Sequence, residues 1–136
     1  MPSARTSLSA DAGNGHTALM WAALEGKIAG VKALLLRGVD VNARDPEGHT
    51  ALMFAVINLH HKIANLLLER GADVNVSAHD GTTALILAAS CGDIALVQLL
   101  LKKGADRNAK YVGTARTAAV IAAEKGYCDI VDLLNS

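Results

Sequence analysis

Five histidines, two cysteines and thirteen carboxylate side chains are the groups in this chain that could do chemistry. A metal ion holds its ligands at about 2 Å, so they must converge on one point. His16 and His49 stand 33 residues apart at equivalent places in a repeating pattern, wider than one ion tolerates. His60 and His61 are adjacent and point different ways on a helix, and no His/Cys pair has zinc-like spacing. Metal ligands are therefore expected to be none. Cys91 follows Ser90, but no paired base and orienting group accompanies it, and a lone cysteine packs as a small apolar residue. Neither a G-x-x-x-x-G-K-S/T phosphate loop nor an H-E-x-x-H motif occurs. The expectation is a non-enzymatic protein with no catalytic residue and no cofactor.

What does recur is structural. Gly15-His16-Thr17-Ala18-Leu19 returns as Gly48-His49-Thr50-Ala51-Leu52 and Gly81-Thr82-Thr83-Ala84-Leu85, each 33 residues after the last. Gly38-Val39-Asp40-Val41-Asn42 returns with the same step as Gly71-Ala72-Asp73-Val74-Asn75 and Gly104-Ala105-Asp106-Arg107-Asn108. A fourth, drifted copy near Thr117-Ala118-Ala119 carries one extra residue in its leading loop. Such a chain stacks one supersecondary unit, and its function is read from a surface. The repeats run about 12–44, 45–77, 78–110 and 111–136, after a flexible tail over 1–11.

The second copy shows how one unit folds. Asp45-Pro46-Glu47-Gly48 is a β-turn signature, proline presetting φ and glycine closing the turn. Thr50 precedes an apolar run and can cap the helix from Ala51 to Asn58. A second helix, His61 to Arg70, has leucines at 66, 67 and 68, and Gly71 supplies the left-handed residue beyond it. Asp73 and Asn75 are turn formers that can bond neighbouring backbone amides. Between the two helices a residue with φ > 0 is expected; Gly26, Gly92 and Gly126 fill that role elsewhere, and here Asn58 is expected to supply it. Gly30 lies inside an outer helix, so either close packing offsets its cost or the first repeat is softer.

Composition narrows the function. The chain has 136 residues, 51 % hydrophobic and only 3 % aromatic, so its core is built of Leu, Ala, Val and Ile. Thirteen basic and thirteen acidic residues cancel, which lacks the basic footprint of a nucleic-acid binder. No apolar run reaches the ~18–20 residues of a membrane span, and the N-terminus lacks secretory features. Isolated cysteines suggest reduced thiols and a cytoplasmic or other intracellular setting, the nucleus included. The last copy's Glu124, Lys125, Asp129 and Asp132 suit a polar closing face. At the other end Trp21 and Met20 are expected to be less covered than Phe54 and Met53, leaving a face that is either exposed or covered by the tail.

Taken together, the Asp-x-x-Gly-x-Thr lead-in, the Leu-x-x-Ala-Ala-like inner helix, the leucine-rich outer helix and Gly-Ala-Asp-Val-Asn resemble the ankyrin repeat over residues from about 12 to 136. The family's Thr-Pro-Leu-His stands here as Thr17-Ala18-Leu19-Met20, Thr50-Ala51-Leu52-Met53, Thr83-Ala84-Leu85-Ile86 and Thr117-Ala118-Ala119-Val120. Apolar residues thus replace a polar link, and stacking is expected to lean on burial. The resemblance implies an all-α solenoid of helix-turn-helix units with projecting β-hairpin loops. It also implies binding of a partner protein through a concave face. By position the finger residues are His16, Arg44, Glu47, His49, His79, Asp80, Lys110, Tyr111 and Arg116. The inner-helix ends are Leu24, Glu25, Ile57, Asn58, Ser90 and Cys91. Leu24, Ile57 and Tyr111 are the expected apolar anchors. The expected partner is another protein, with no nucleic acid and no membrane, and the chain a monomer. The alternative is a structural or self-associating repeat unit, a fragment of a larger array that uses its weakly capped N-terminal face.

Overall fold

A computed structural model describes residues 16–135; the expected tail over 1–11 lies outside them. Among the described residues the chain forms eight helices: α1 His16–Glu25, α2 Ile28–Leu36, α3 Ala51–Ile57, α4 His61–Glu69, α5 Ala84–Cys91, α6 Ile94–Lys102, α7 Ala118–Glu124 and α8 Cys128–Asn135. They fall into pairs, one pair per repeat, and the fold is an all-α repeat. The expected repeat junctions at 44/45, 77/78 and 110/111 all lie in the connections that lead from an outer helix to the next inner one. Packing divides the chain into two compact units, one ending at Asp73 and the other beginning at Val74.

In the first unit α1 packs on α3, and each inner helix packs on its own outer helix, with α2 resting more lightly on α4. In the second unit α5 packs on α7 and α6 on α8 in the same way. Leu19, Met20, Leu52 and Met53 are buried in the first core, and Leu85, Ile86, Leu96 and Leu100 in the second. Burial thus reaches three of the four positions where apolar residues replace a polar link, Met20, Met53 and Ile86, while the fourth, Val120, is exposed. Thr50 caps its helix as expected, accepting from the amide of Met53, and Thr83 and Thr117 do the same for Ile86 and Val120. A cap of this kind contributes about 1 kcal/mol.

The finger turns close as read from the sequence, but they form no strand among the described residues. Asp45 N donates to the His49 carbonyl and Gly48 N to that of Asp45, both at 2.9 Å. Ala78, Gly81 and Thr82 repeat the pattern, and only Lys110 and Thr117 pair as an isolated β-bridge. The loops are therefore closed β-turns in place of the expected β-hairpins, because one bonded turn leaves no length for a ladder.

The asparagines after the outer helices do more than turn the chain. Asn42 donates Nδ2 to the Gly71 carbonyl at 3.1 Å and accepts from Asp73 N at 2.6 Å. In the second unit Asn75 does the same to Gly104 and Asp106, at 3.1 and 2.7 Å. Each side-chain amide thus clamps the backbone of the following repeat. Asp40 and Asp106 act locally, accepting from Asn42 N and Asn108 N.

The residue between α3 and α4 corrects the sequence reading. Asn58 has φ −102°, and it is Leu59 that takes φ 61°, unlike every other described non-glycine residue. Register decides this: Leu59 stands 33 residues after Gly26 and 33 before Gly92. His60 N donates to the Ala55 carbonyl at 2.8 Å, as Lys27 N does to Ala22 at 2.9 Å, so the same turn is imposed. Asn58 is held instead by its side chain, which donates to the Leu24 carbonyl at 2.7 Å.

Two further expectations change at the ends. Met20 is as buried as Met53, and Trp21, like Phe54, is half-buried. That position in an inner helix faces the following repeat, so α3 covers Met20. In the last repeat Glu124, Lys125, Asp129 and Asp132 are exposed, but Val120 and Ala123 are exposed beside them, so that face is mixed instead of polar.

Around Gly30 there is room. A Cβ would lie 3.5 Å from the Ala22 Cβ and 3.7 Å from the Lys27 Cβ, ordinary contacts. The glycine answers no packing need. Gly30→Ala is expected to raise stability by about 1 kcal/mol. Leu59→Gly is expected to gain about as much by relieving the left-handed leucine. Urea unfolding of both variants checks this; a loss on Leu59→Gly would contradict the strain.

Candidate partner-binding surface

In the first unit the finger is organised by one carboxylate. Asp45 Oδ1 accepts from Glu47 N at 3.0 Å and His49 N at 2.8 Å, with His49 Nδ1 3.5 Å away. Arg44 Nε donates to the Gly48 carbonyl at 3.3 Å, so its guanidinium lies along the turn. The His49 ring meets Phe54 with centroids 6.0 Å apart, which holds the finger base against α3. Ligand atoms of Asp45, Glu47 and His49 fall within 4.8 Å of one another. Within that cluster Asp45 Oδ1 is already the acceptor of the turn's amides.

At the inner-helix ends, Ile57 is 46 % exposed while Leu24 is half-buried. Glu25 and Asn58 are exposed, and Glu25 lies 3.6 Å from Lys27. The Leu24 carbonyl receives two donors, Asn58 Nδ2 and, at 3.0 Å, His60 Nε2, which fixes the Nε2–H tautomer of His60. The His16 side chain lies outside the described residues.

In the second unit His79, Asp80, Cys91, Lys110 and Arg116 are exposed, and Ser90 is half-buried. Asp80 Oδ1 accepts from Thr82 N and from the Thr82 hydroxyl. Its carbonyl accepts from Val112 N at 2.9 Å, tying the two fingers together. Gly81 permits that approach: a Cβ there would lie 2.5 Å from the Lys110 oxygen and 2.8 Å from the Tyr111 Cα. Tyr111 is consequently half-buried at the junction, and the exposed apolar side chain is its neighbour Val112, 70 % exposed. The residues at that turn position in the two preceding fingers, Pro46 and His79, mark Val112 as an apex residue, so aligning the fingers would have found it. Arg116 at the finger base pairs with Glu124 at the end of α7, Nη2 to Oε1 at 2.5 Å. Finger and inner-helix end thereby form one surface in the last repeat.

Two shallow grooves of about 330 and 350 Å³ occupy the same repeat position, one per unit, beside the turns between helices. The His60 ring covers Gly26 in one and the Tyr127 ring covers Gly92 in the other, each where a Cβ would collide at 2.7 Å. Their rims differ in charge, His61 and Lys62 against Cys128 and Asp129.

These paired helices, capped turns and backbone-directed asparagines are the geometry of one family. A family model described as ankyrin repeats (three copies) matches residues 3–78 and 74–136. The chain belongs to the ankyrin repeat family. No curated protein sequence gives a match. Ankyrin repeats are in general protein–protein interaction modules and are typically non-enzymatic. Among the described residues no helix is long and apolar enough to cross a membrane.

Both cysteines of this ankyrin-repeat chain are exposed, and neither is in a disulfide. Burial pushes the Cys91 thiol above its ordinary range; the Asp93 carboxylate adds to this and Lys125 partly opposes it. In a Cys128→Ser background, alkylation of Cys91 by iodoacetamide is expected to rise with pH later than for a free thiol. Asp93→Asn should move that midpoint downward; an unchanged midpoint would remove the carboxylate as a cause.

Proposed function

We propose that this chain is a non-enzymatic binding module that grips a partner protein with its finger turns and inner-helix ends. The observation that carries the reading is the placement of exposed apolar side chains, Ile57 and Val112, among polar residues whose backbone is already fixed. Asp45, Asp80 and the Arg116–Glu124 pair hold the fingers before any partner arrives. A surface ordered in advance loses little conformational entropy on binding, which leaves more of the contact energy for affinity. Buried apolar anchors surrounded by polar contacts are the usual centre of such interfaces. The remaining finger and helix-end residues, Arg44, Glu47, His49, Asn58, His79, Asp80, Ser90, Cys91, Lys110 and Tyr111, supply the polar surround, with Leu24 and Glu25 at its edge. Two cysteines outside any disulfide favour a reducing, intracellular setting.

Capture from a lysate of the source cell tests the assignment, with wild type beside Ile57→Ser/Val112→Ser and beside His61→Ala in the groove next to Gly26. A protein held by wild type and His61→Ala but lost by the double variant is the expected result. Retention by the double variant would move the site away from these two anchors.

A further inference from the structure

In the second unit the charges around the fingers and inner-helix ends are not equivalent. Asp80 Oδ1 is held by Thr82, accepting from its amide at 3.0 Å and its hydroxyl at 2.6 Å. Asp93 Oδ1 accepts from Leu96 N at 3.0 Å and so caps α6. Glu124 Oε1 is paired with Arg116 Nη2. Each carboxylate is therefore engaged by a donor of the protein itself. The lysines are not. Both Lys110 and Lys125 are exposed, and neither is in an ion pair among the described residues. The finger of the first unit differs, because Arg44, two repeats before Lys110, donates to its own turn at Gly48.

The two lysines accompany the exposed valine of the same finger. Lys110 pairs with Thr117, so the chain is extended there, and Lys110 and Val112 flank the half-buried Tyr111. Side chains alternate along an extended segment, which puts Lys110 and Val112 on one side about 7 Å apart. The Arg116–Glu124 pair then links this finger to the end of α7, where Lys125 is the next residue. Its ammonium acts on the Cys91 thiol, which sets it beside the end of α5 as well. An apolar side chain thus has one ammonium beside it and a second at the helix end, while the nearby carboxylates serve the protein's own donors.

We propose that this face of the second unit selects an acidic peptide segment carrying an apolar side chain: the apolar group covers Val112, and carboxylates to either side of it meet Lys110 and Lys125. Carboxylate and ammonium join through charge-assisted hydrogen bonds, the stronger kind. A basic segment would set like charges against both lysines and find the carboxylates already engaged. The apolar contact makes the occupant a peptide, since a chain of phosphates alone would leave Val112 uncovered. This inference rests on the partner-binding reading and names the chemistry of that partner.

A random peptide library displayed on phage, panned against the full chain, is the test, with the most enriched peptide synthesised and its Kd read by fluorescence anisotropy. Selected sequences are expected to be rich in Asp and Glu around a Leu, Ile, Val or Phe. Lys110→Gln and Lys125→Gln should each raise Kd about two- to fivefold, the range of exposed ion pairs. Val112→Ser should raise it about tenfold, as the loss of an interface anchor does. Lys102→Gln, exposed at the end of α6, should leave it unchanged, which separates this face from general attraction between a cation and an acid. All four variants are compared at matched melting curves. Selected peptides with no acidic excess, yet weakened by Val112→Ser, would overturn the proposal and leave the partner-binding reading standing. Acidic peptides indifferent to Val112→Ser, or weakened as much by Lys102→Gln as by Lys110→Gln, would also overturn it. So would a failure to enrich any sequence, and the lysate capture would then judge the partner-binding reading by itself.

Discussion

Every described helix is between seven and ten residues long, below the length at which a helix holds itself in water. Burial against a neighbouring repeat is what makes them helices at all. The dependence shapes the sequence: alanine and leucine where α1 meets α3 and α5 meets α7, charged and polar residues elsewhere. Few aromatic side chains are used, since thin layers of helix leave little room for them. A stack held this way is a sum of nearest-neighbour contacts, so its stability is local.

Register is then fixed by polar groups aimed at backbone. Asn42 and Asn75 read the position of the next outer-helix end through two bonds apiece, and Asn58 with His60 reads the end of the previous inner helix through Leu24. A slip between repeats would leave these amides and carbonyls unmatched. The same directness frees the outward side chains. Because carboxylates and asparagines hold the loops, residues such as Ile57 and Val112 can vary for recognition without unfolding their support.

Much of this was legible in the sequence. The 33-residue period gave the repeats, and threonine and glycine chemistry gave the caps and turns, because both are local properties. The misassignment of φ > 0 to Asn58 came from weighing residue preference above register, whereas the turn's backbone bond belongs to a fixed place that Leu59 occupies. The bonds of Asn42 and Asn75 span about thirty residues, so no local reading could find them. Tyr111 drew attention as an aromatic beside an insertion, yet the insertion turns Val112 outward and draws Tyr111 onto Gly81. The mixed face of the last repeat was hidden by its charged residues, since exposure of Val120 depends on what lies next to α7 and not on its own neighbours in sequence.

Nearest-neighbour burial is tested most directly by a chain ending at Lys110, followed by thermal unfolding and amide hydrogen exchange. Removal of α7 and α8 should lower the melting temperature sharply and accelerate exchange throughout α5 and α6, where Leu99 and Leu100 lose their cover. A truncated chain that melts like the intact one, with α5 and α6 equally protected, would contradict the account.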